Sequence, residues 1–196
     1  MDLNLLIGLI SFAFVTSITP GPNNMLLLAS GANFGFRRTV PQMLGINLGF
    51  AFLLAVSGLG LGTMMTTFPA SKTALKIAAT AYMLWLAWKI AHASAPTAGR
   101  AGAKPMTLLQ SAAFQWVNPK AWAMALGAVS AYSDGSLVGI VQVFVVFCLV
   151  NLPSIATWVQ AGEALRLLLT NPNRLAVFNW TMAVLLVLSL WPVLQF

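Results

Sequence analysis

Long apolar runs alternate with brief polar interruptions along the whole chain, and the length of the runs sets the type of element. A helix that crosses a bilayer needs about 20 apolar residues, and six stretches come near or exceed that: 3–34, 40–66, 72–90, 107–131, 137–162 and 175–194. The pattern predicts an all-α polytopic membrane protein with six transmembrane helices. The first stretch is too long for one straight crossing. As a continuous helix it would measure about 46 Å at 1.5 Å per residue, against about 30 Å of hydrocarbon.

The interruption SITPGPNN, residues 17–24, is where the excess is expected to be absorbed. Proline lacks the N–H that bonds the carbonyl four residues back, and its ring crowds that carbonyl. Pro20 and Pro22 should therefore free the carbonyls of Thr16 and Ile18, while Gly21 permits an unwound backbone between them. A second half-helix is expected to start at Asn23 or Asn24. The fourth stretch repeats the device: Pro119 frees the carbonyl of Gln115, Asn118 offers an amide, and Lys120 places a cation in an apolar run. In lipid that charge would cost at least about 2.5–3.5 kcal/mol, so Lys120 should face the protein interior. Loose backbone at membrane depth is tolerated only where protein or a wet cavity surrounds it. The expected architecture thus has broken first and fourth helices. Half-helix N-termini offer donors to an anionic group and freed carbonyls offer acceptors to an ammonium, a pairing that suits a zwitterion.

Composition agrees with the membrane reading: 59% of the 196 residues are hydrophobic, 7% are charged, and the mean hydropathy is +0.86. No hydrophilic block is long enough for a second domain, so a single integral domain over residues 1–196 is expected. The formal charge of +7 raises nucleic acid as a partner. Its basic residues, however, are scattered at the ends of apolar runs, where orientation signals sit, so the lipid bilayer and not nucleic acid is the expected partner. Arg37, Arg38, Lys89, Arg100, Lys104, Arg166 and Arg174 fall on one side, while Lys72 and Lys76 fall on the other. By the positive-inside rule the seven face the cytoplasm and both termini lie outside.

Asp2 stands where a secretory signal would carry a basic residue, and the first run is read as a retained span. The single cysteine, Cys148, excludes an internal disulfide or dithiol chemistry. Asp2, Asp134 and Glu163 sit near run ends, His92 is at the end of the third run, and no catalytic or phosphate-binding motif is present. An intramembrane enzyme is disfavoured for that reason, and no cofactor or metal is implied. Trp85, Trp88, Trp116, Trp158 and Trp191 read as interface anchors.

Residues 95–104, APTAGRAGAK, form an expected linker between halves 1–94 and 105–196. Three spans per half is odd, so related halves would insert in opposite senses, a 3+3 inverted repeat. Phe14 followed by Thr19-Pro20 parallels Phe114 followed by Asn118-Pro119, and Asn47-Leu48-Gly49 parallels Asn151-Leu152-Pro153. Plainer roles stand beside the functional ones. Prolines kink helices for packing alone; Asn23 and Asn24 cap helices; Lys120 snorkels or pairs with a carbonyl. Asn47, Gln115 and Asn151 bond neighbouring helices, and Gly45 with Gly49 marks close helix packing. The recurrence of interruptions at matching places in both halves favours a substrate site.

The segment 17–50 beginning SITPGPNN, AYMLWLAWKIA at 81–91 and FQWVNPKAW at 114–122 together resemble the lysine-exporter (LysE) family of bacterial amino-acid efflux proteins. The resemblance runs through the whole chain, and is nearest the branch that exports cysteine, O-acetylserine and other small neutral amino acids. It implies an inner-membrane exporter of an amino-acid substrate, driven by the proton gradient or the membrane potential. The family's Pro-Gly-Pro-Asn falls on Pro20, Gly21, Pro22 and Asn23, and its Asn-Pro-Lys on Asn118, Pro119 and Lys120. With no carboxylate in mid-span, Lys120 is the candidate coupling residue. A docking subunit that transports nothing, or a passive channel, are the competing readings, and a homo-oligomer is compatible with the sequence without being specified by it.

Overall fold

A computed structural model describes residues 1–61, 69–93, 104–166 and 168–190, apart from the side chains of 61, 69–72 and 75. The expected linker at 95–103, the run ends at Thr66 and Leu194, Arg100, Trp191 and the Lys72 side chain lie outside the described residues. The described residues are helical, with no strand among them. The helices are α1 Leu3–Ile18, α2 Pro22–Phe34, α3 Phe36–Val56, α4 Pro69–Ala91, α5 Leu108–Val117, α6 Pro119–Tyr132, α7 Leu137–Arg166 and α8 Pro172–Leu188.

The helix boundaries follow from the sequence. Asp2 accepts from the Leu5 N–H at 2.8 Å and starts α1, and Thr107 forms a capping box with Gln110 at the start of α5. Pro22, Pro119 and Pro172 each begin a helix. There the missing N–H has no intrahelical role and the fixed φ is already helical. Between α2 and α3, Gly35 takes φ 81°, a left-handed value that allows the chain to reverse at once. The first N–H of α3, on Phe36, donates to Glu163 at 3.0 Å. The acidic residues Asp2, Glu163 and Asp134 thus serve helix ends and a turn, Asp134 accepting from the Ser136 N–H at 2.9 Å.

Two helices, α3 with its π-helical extension to Gly60 and α7, are long and apolar enough to cross a membrane; α1 and α2, bent by 55° at their break, make a third crossing if they count as one. α7 packs on α1, α2 and α3; α3 packs on α5; α4 packs on α8. Glycine sets two of these approaches. A Cβ at Gly31 would meet the backbone carbonyl of Val159 and one at Gly162 that of Leu28, so α2 and α7 touch backbone to backbone. Gly45 and Gly49 do the same for α3 against Leu108 and Ala112 of α5, the close-packing role expected of that spacing.

The buried apolar residues divide in a way that positions the breaks. One cluster is built from α2, α4, α5 and α8, with Leu26, Met83, Leu86, Phe114 and Leu186. A second is built from α1, α3, α6 and α7, with Leu9, Phe50, Leu53, Trp122 and Phe147, and a third, with Leu27, Ile46 and Val159, joins α2, α3 and α7. Each broken pair therefore has one helix in the first of these cores and the other in the second.

Candidate functional site

The two breaks meet. Lys120, in the first turn of α6, extends its ammonium to the α1–α2 break and donates to Thr19 O at 2.7 Å, Thr19 Oγ1 at 2.9 Å and Pro20 O at 3.3 Å. Three acceptors match the three N–H bonds of an ammonium. Gly21 makes room for this, since a Cβ there would stand 2.7 Å from Lys120 Cδ.

The carbonyls expected to be free are occupied. Thr16 O accepts from Thr19 Oγ1 at 3.1 Å, and Ile18 O accepts from the Trp158 indole at 3.0 Å. Asn24 donates to both Ser17 O and Thr19 O at 2.8 Å. Gln115 O accepts from the Asn118 N–H at 3.3 Å. The expectation of bare carbonyls is therefore corrected: a buried acceptor left without a donor costs about 1–3 kcal/mol, and neighbouring side chains remove that cost. Trp158 thus caps the break from α7, a role that its expected one as an interface anchor does not include. Trp116 is also drawn inward, its carbonyl accepting from the Trp122 indole at 2.8 Å and its ring packing edge-on to Trp122. Neither tryptophan role is legible in the sequence, because only the folded neighbour supplies the carbonyl.

The amides pair across the two halves of the chain. Asn23 of α2 and Gln115 of α5 exchange both side-chain bonds, at 2.8 and 3.0 Å. Asn151 of α7 donates to Asn47 Oδ1 of α3 at 2.8 Å, and Asn47 donates to Cys148 O at 3.4 Å. Between these pairs lies a cavity of about 20 Å³ that touches Gly21, Asn23, Asn24, Asn118, Lys120 and Asn151. Such a volume holds about one water. Pro20, through its carbonyl, Gln115, through Asn23, and Asn47, through Asn151, stand one contact away; Pro22 and Pro119 begin the half-helices. The residues singled out in the sequence thus surround one point.

Two polar features of that point face no partner. Ser17 Oγ, on the cavity wall, is buried and unbonded among the described residues. The N-terminus of α2 has no described side-chain cap, whereas Asn118 caps α6 by accepting from the Lys120 N–H at 3.2 Å. The first N–H groups of a helix have no intrahelical acceptor and carry partial positive charge. An uncapped N-terminus therefore lies beside an ammonium, in a gap that also carries carbonyls and a hydroxyl. The sequence model of LysE type translocators matches residues 14–189, spanning both breaks.

The chain belongs to the LysE-type translocator family. Among its relatives are the cysteine/O-acetylserine efflux proteins of Escherichia coli strain K12, of Shigella sonnei strain Ss046 and of Escherichia coli O6:K15:H31 strain 536, each 32% identical over 181 residues that cover 90% of this chain and 91% of the relative. No solved structure matches the chain. Membership in the LysE-type family makes this a membrane translocator and not an enzyme, in keeping with its apolar helices.

Proposed function

We propose that this protein exports small neutral amino acids or their derivatives, such as cysteine, O-acetylserine, homoserine or threonine, across the bacterial inner membrane. It works as a secondary transporter coupled to the proton gradient or the membrane potential. In this reading the chain makes six crossings as a 3+3 inverted repeat, with halves 1–94 and 105–196 joined by the linker 95–104 and both termini outside. Support comes from the family, from the relatives' efflux activity, and from the polar interruptions at corresponding places in the two halves.

The observation that carries the proposal is the ammonium of Lys120 resting on the carbonyls of Thr19 and Pro20. Those acceptors suit the substrate's own α-ammonium, and the substrate's carboxylate suits Lys120 together with the uncapped N-terminus of α2. The cavity of about 20 Å³ is too small for any amino acid. The present conformation is then a closed one, in which Lys120 occupies the place of the substrate's ammonium. Substrate binding exchanges one ammonium for another and draws Lys120 onto the carboxylate. Asn23, Gln115, Asn47, Asn118 and Asn151 line the path, which opens as the Asn23–Gln115 amide bonds part.

The test is efflux of a panel of radiolabelled amino acids from vesicles, with and without an imposed pH gradient. Wild-type protein should export small neutral amino acids faster with the gradient, and Lys120→Gln, whose amide can still donate to the carboxylate, should retain weakened binding while flattening the pH dependence. Flux indifferent to the gradient would make the protein a passive channel, and no flux of any amino acid would leave a docking subunit.

A further inference from the structure

A second cavity, of about 230 Å³, lies at the other end of α2, between α2, α4 and the segment leading into α5. It is more than ten times the size of the central gap and near the low end of small-ligand sites, about 300 Å³. Two amides in its wall stand out. Gln42 of α3 is 2% exposed and makes no side-chain hydrogen bond among the described residues, its amide being left in reach of the cavity. Asn33 of α2 is 3% exposed, and its Oδ1 is sealed and without a donor among them. Sealed polar atoms are nearly always bonded, and the exception at Asn33 calls for a reason.

The orientation of Asn33 is fixed by its surroundings. Asn179 donates to Ala93 O at 2.8 Å, which leaves its Oδ1 as acceptor for Asn33 Nδ2 at 3.0 Å; the same Nδ2 donates to Ala29 O at 2.8 Å. Asn33 is thereby obliged to present an unmatched acceptor. Lys89 and Lys104 line the cavity, both exposed, with His92 beside them; the Lys89 ammonium lies 4.9 Å from the centre of the Trp85 ring. An unmatched acceptor just beneath the wall, an unbonded amide at Gln42 and cationic residues around the cavity fit a ligand with an N–H or ammonium at one end and a carboxylate at the other.

We propose that this cavity is a second amino-acid site, the loading site on the cytoplasmic face. The proposal rests on the exporter reading and its orientation. Asn33 Oδ1 and the Gln42 amide receive the ammonium end, and Lys89 and Lys104 hold the carboxylate. The route onward follows α2, where Asn23, Leu26, Ser30 and Asn33 recur at the three- and four-residue spacing of one helix face. Leu26 and Leu86 form part of the cavity wall and belong to the same buried cluster as Phe114, which lies next to Gln115. This apolar plug separates the loading site from the gap at Lys120.

The test compares uptake of radiolabelled, reduced L-cysteine into everted membrane vesicles, where the cytoplasmic face is outermost, with exchange in right-side-out vesicles. Gln42→Met preserves volume and breaks no hydrogen bond. It should raise the KM for uptake into everted vesicles about tenfold, change the KM for exchange from the outer face less than about twofold, and leave the thermal midpoint equal or higher. Lys104→Gln, an exposed change that spares the core, should raise the KM on the cytoplasmic face about threefold. A wild-type KM on that face in either folded variant, or an equal rise on both faces, overturns the loading site while leaving the exporter intact. Wild-type vesicles that move neither L-cysteine nor any amino acid of the panel overturn the exporter reading and the loading site with it.

Discussion

The two broken helices solve the same problem differently. Both interruptions are made by proline, and both pass from one buried core to another. The α5–α6 break is a single residue wide and closes on itself: Asn118 supplies the N–H for Gln115 O and the side-chain cap for Lys120, and Trp122 reaches back to Trp116 O. The α1–α2 break spans Thr19 to Gly21, bends by 55°, and adds to its local donors, Thr19 and Asn24, two from elsewhere, Trp158 of α7 and Lys120 of α6. A break satisfied locally keeps its shape wherever its helix moves, but one satisfied by neighbours opens when they withdraw. The α1–α2 break is therefore the one that would open if α6 or α7 withdrew from it. Because α2 is locked to α7 backbone to backbone at Gly31 and Gly162, movement at Lys120 belongs to α6 or α1.

The sharpest way to break this comparison is to damage each interruption in turn. Lys120→Met removes all three donors that α6 sends to Thr19 and Pro20. In the proposed function the break lines a wet path, so water replaces those donors at Thr19 and Pro20 and stability should change little, while export falls by about a hundredfold or more, or about 2.7 kcal/mol of lost stabilisation along the transport cycle. Asn118→Ala should do the reverse, lowering stability by about 1 kcal/mol through loss of a helix cap and export only a few-fold. Vesicle efflux and thermal unfolding in detergent, measured on both variants, decide it. Equal loss of export with intact folding would put the two breaks on the same footing.

A smaller effect separates the two tryptophans. Trp158→Phe leaves Ile18 O without its donor and should lower stability by about 1–3 kcal/mol, with export reduced alongside. Trp122→Phe removes a bond within one broken pair, to Trp116 O, and should lower stability with little change in export per folded molecule. Unfolding midpoints set beside efflux normalised to folded protein distinguish these outcomes.

How much of this the sequence discloses depends on the range of each interaction. The interruptions are legible because a missing N–H is a property of proline itself, and the starts of α2 and α6 at Pro22 and Pro119 follow from it. Helical class follows from run length alone. The partners of the carbonyls are not legible: Trp158 is 140 positions from Ile18 and Lys120 is 101 from Thr19, and nothing local in either residue names its acceptor. In a chain this apolar, tryptophan signals a membrane interface more often than a backbone cap, so the sequence alone does not point Trp158 to the bond with Ile18 O. Gln42 carries no sequence signal of its own, since a lone amide in a helix ordinarily finds a neighbour, and only folding reveals that this one has none among the described residues.

The smallest expected effect sharpens the contrast between interfaces. Asn23 with Gln115 joins α2 to α5 by two reciprocal bonds, while Asn47 with Asn151 joins α3 to α7 by one. If α6 parts from the α1–α2 break during transport and the Gln115 end of α5 swings with it about its contact with α3 at Leu108 and Ala112, the Asn23–Gln115 pair must open while α3 and α7 stay together. Coupling energies from double-alanine cycles should then differ in kind. For Asn23 and Gln115 the folded-state coupling, about 0.5–3 kcal/mol, should be accompanied by faster opening and a raised transport rate when the pair is removed. For Asn47 and Asn151 a coupling in the same range should appear in stability alone. Faster transport on removing Asn47 and Asn151, with none on removing Asn23 and Gln115, would place the moving surface between α3 and α7 instead.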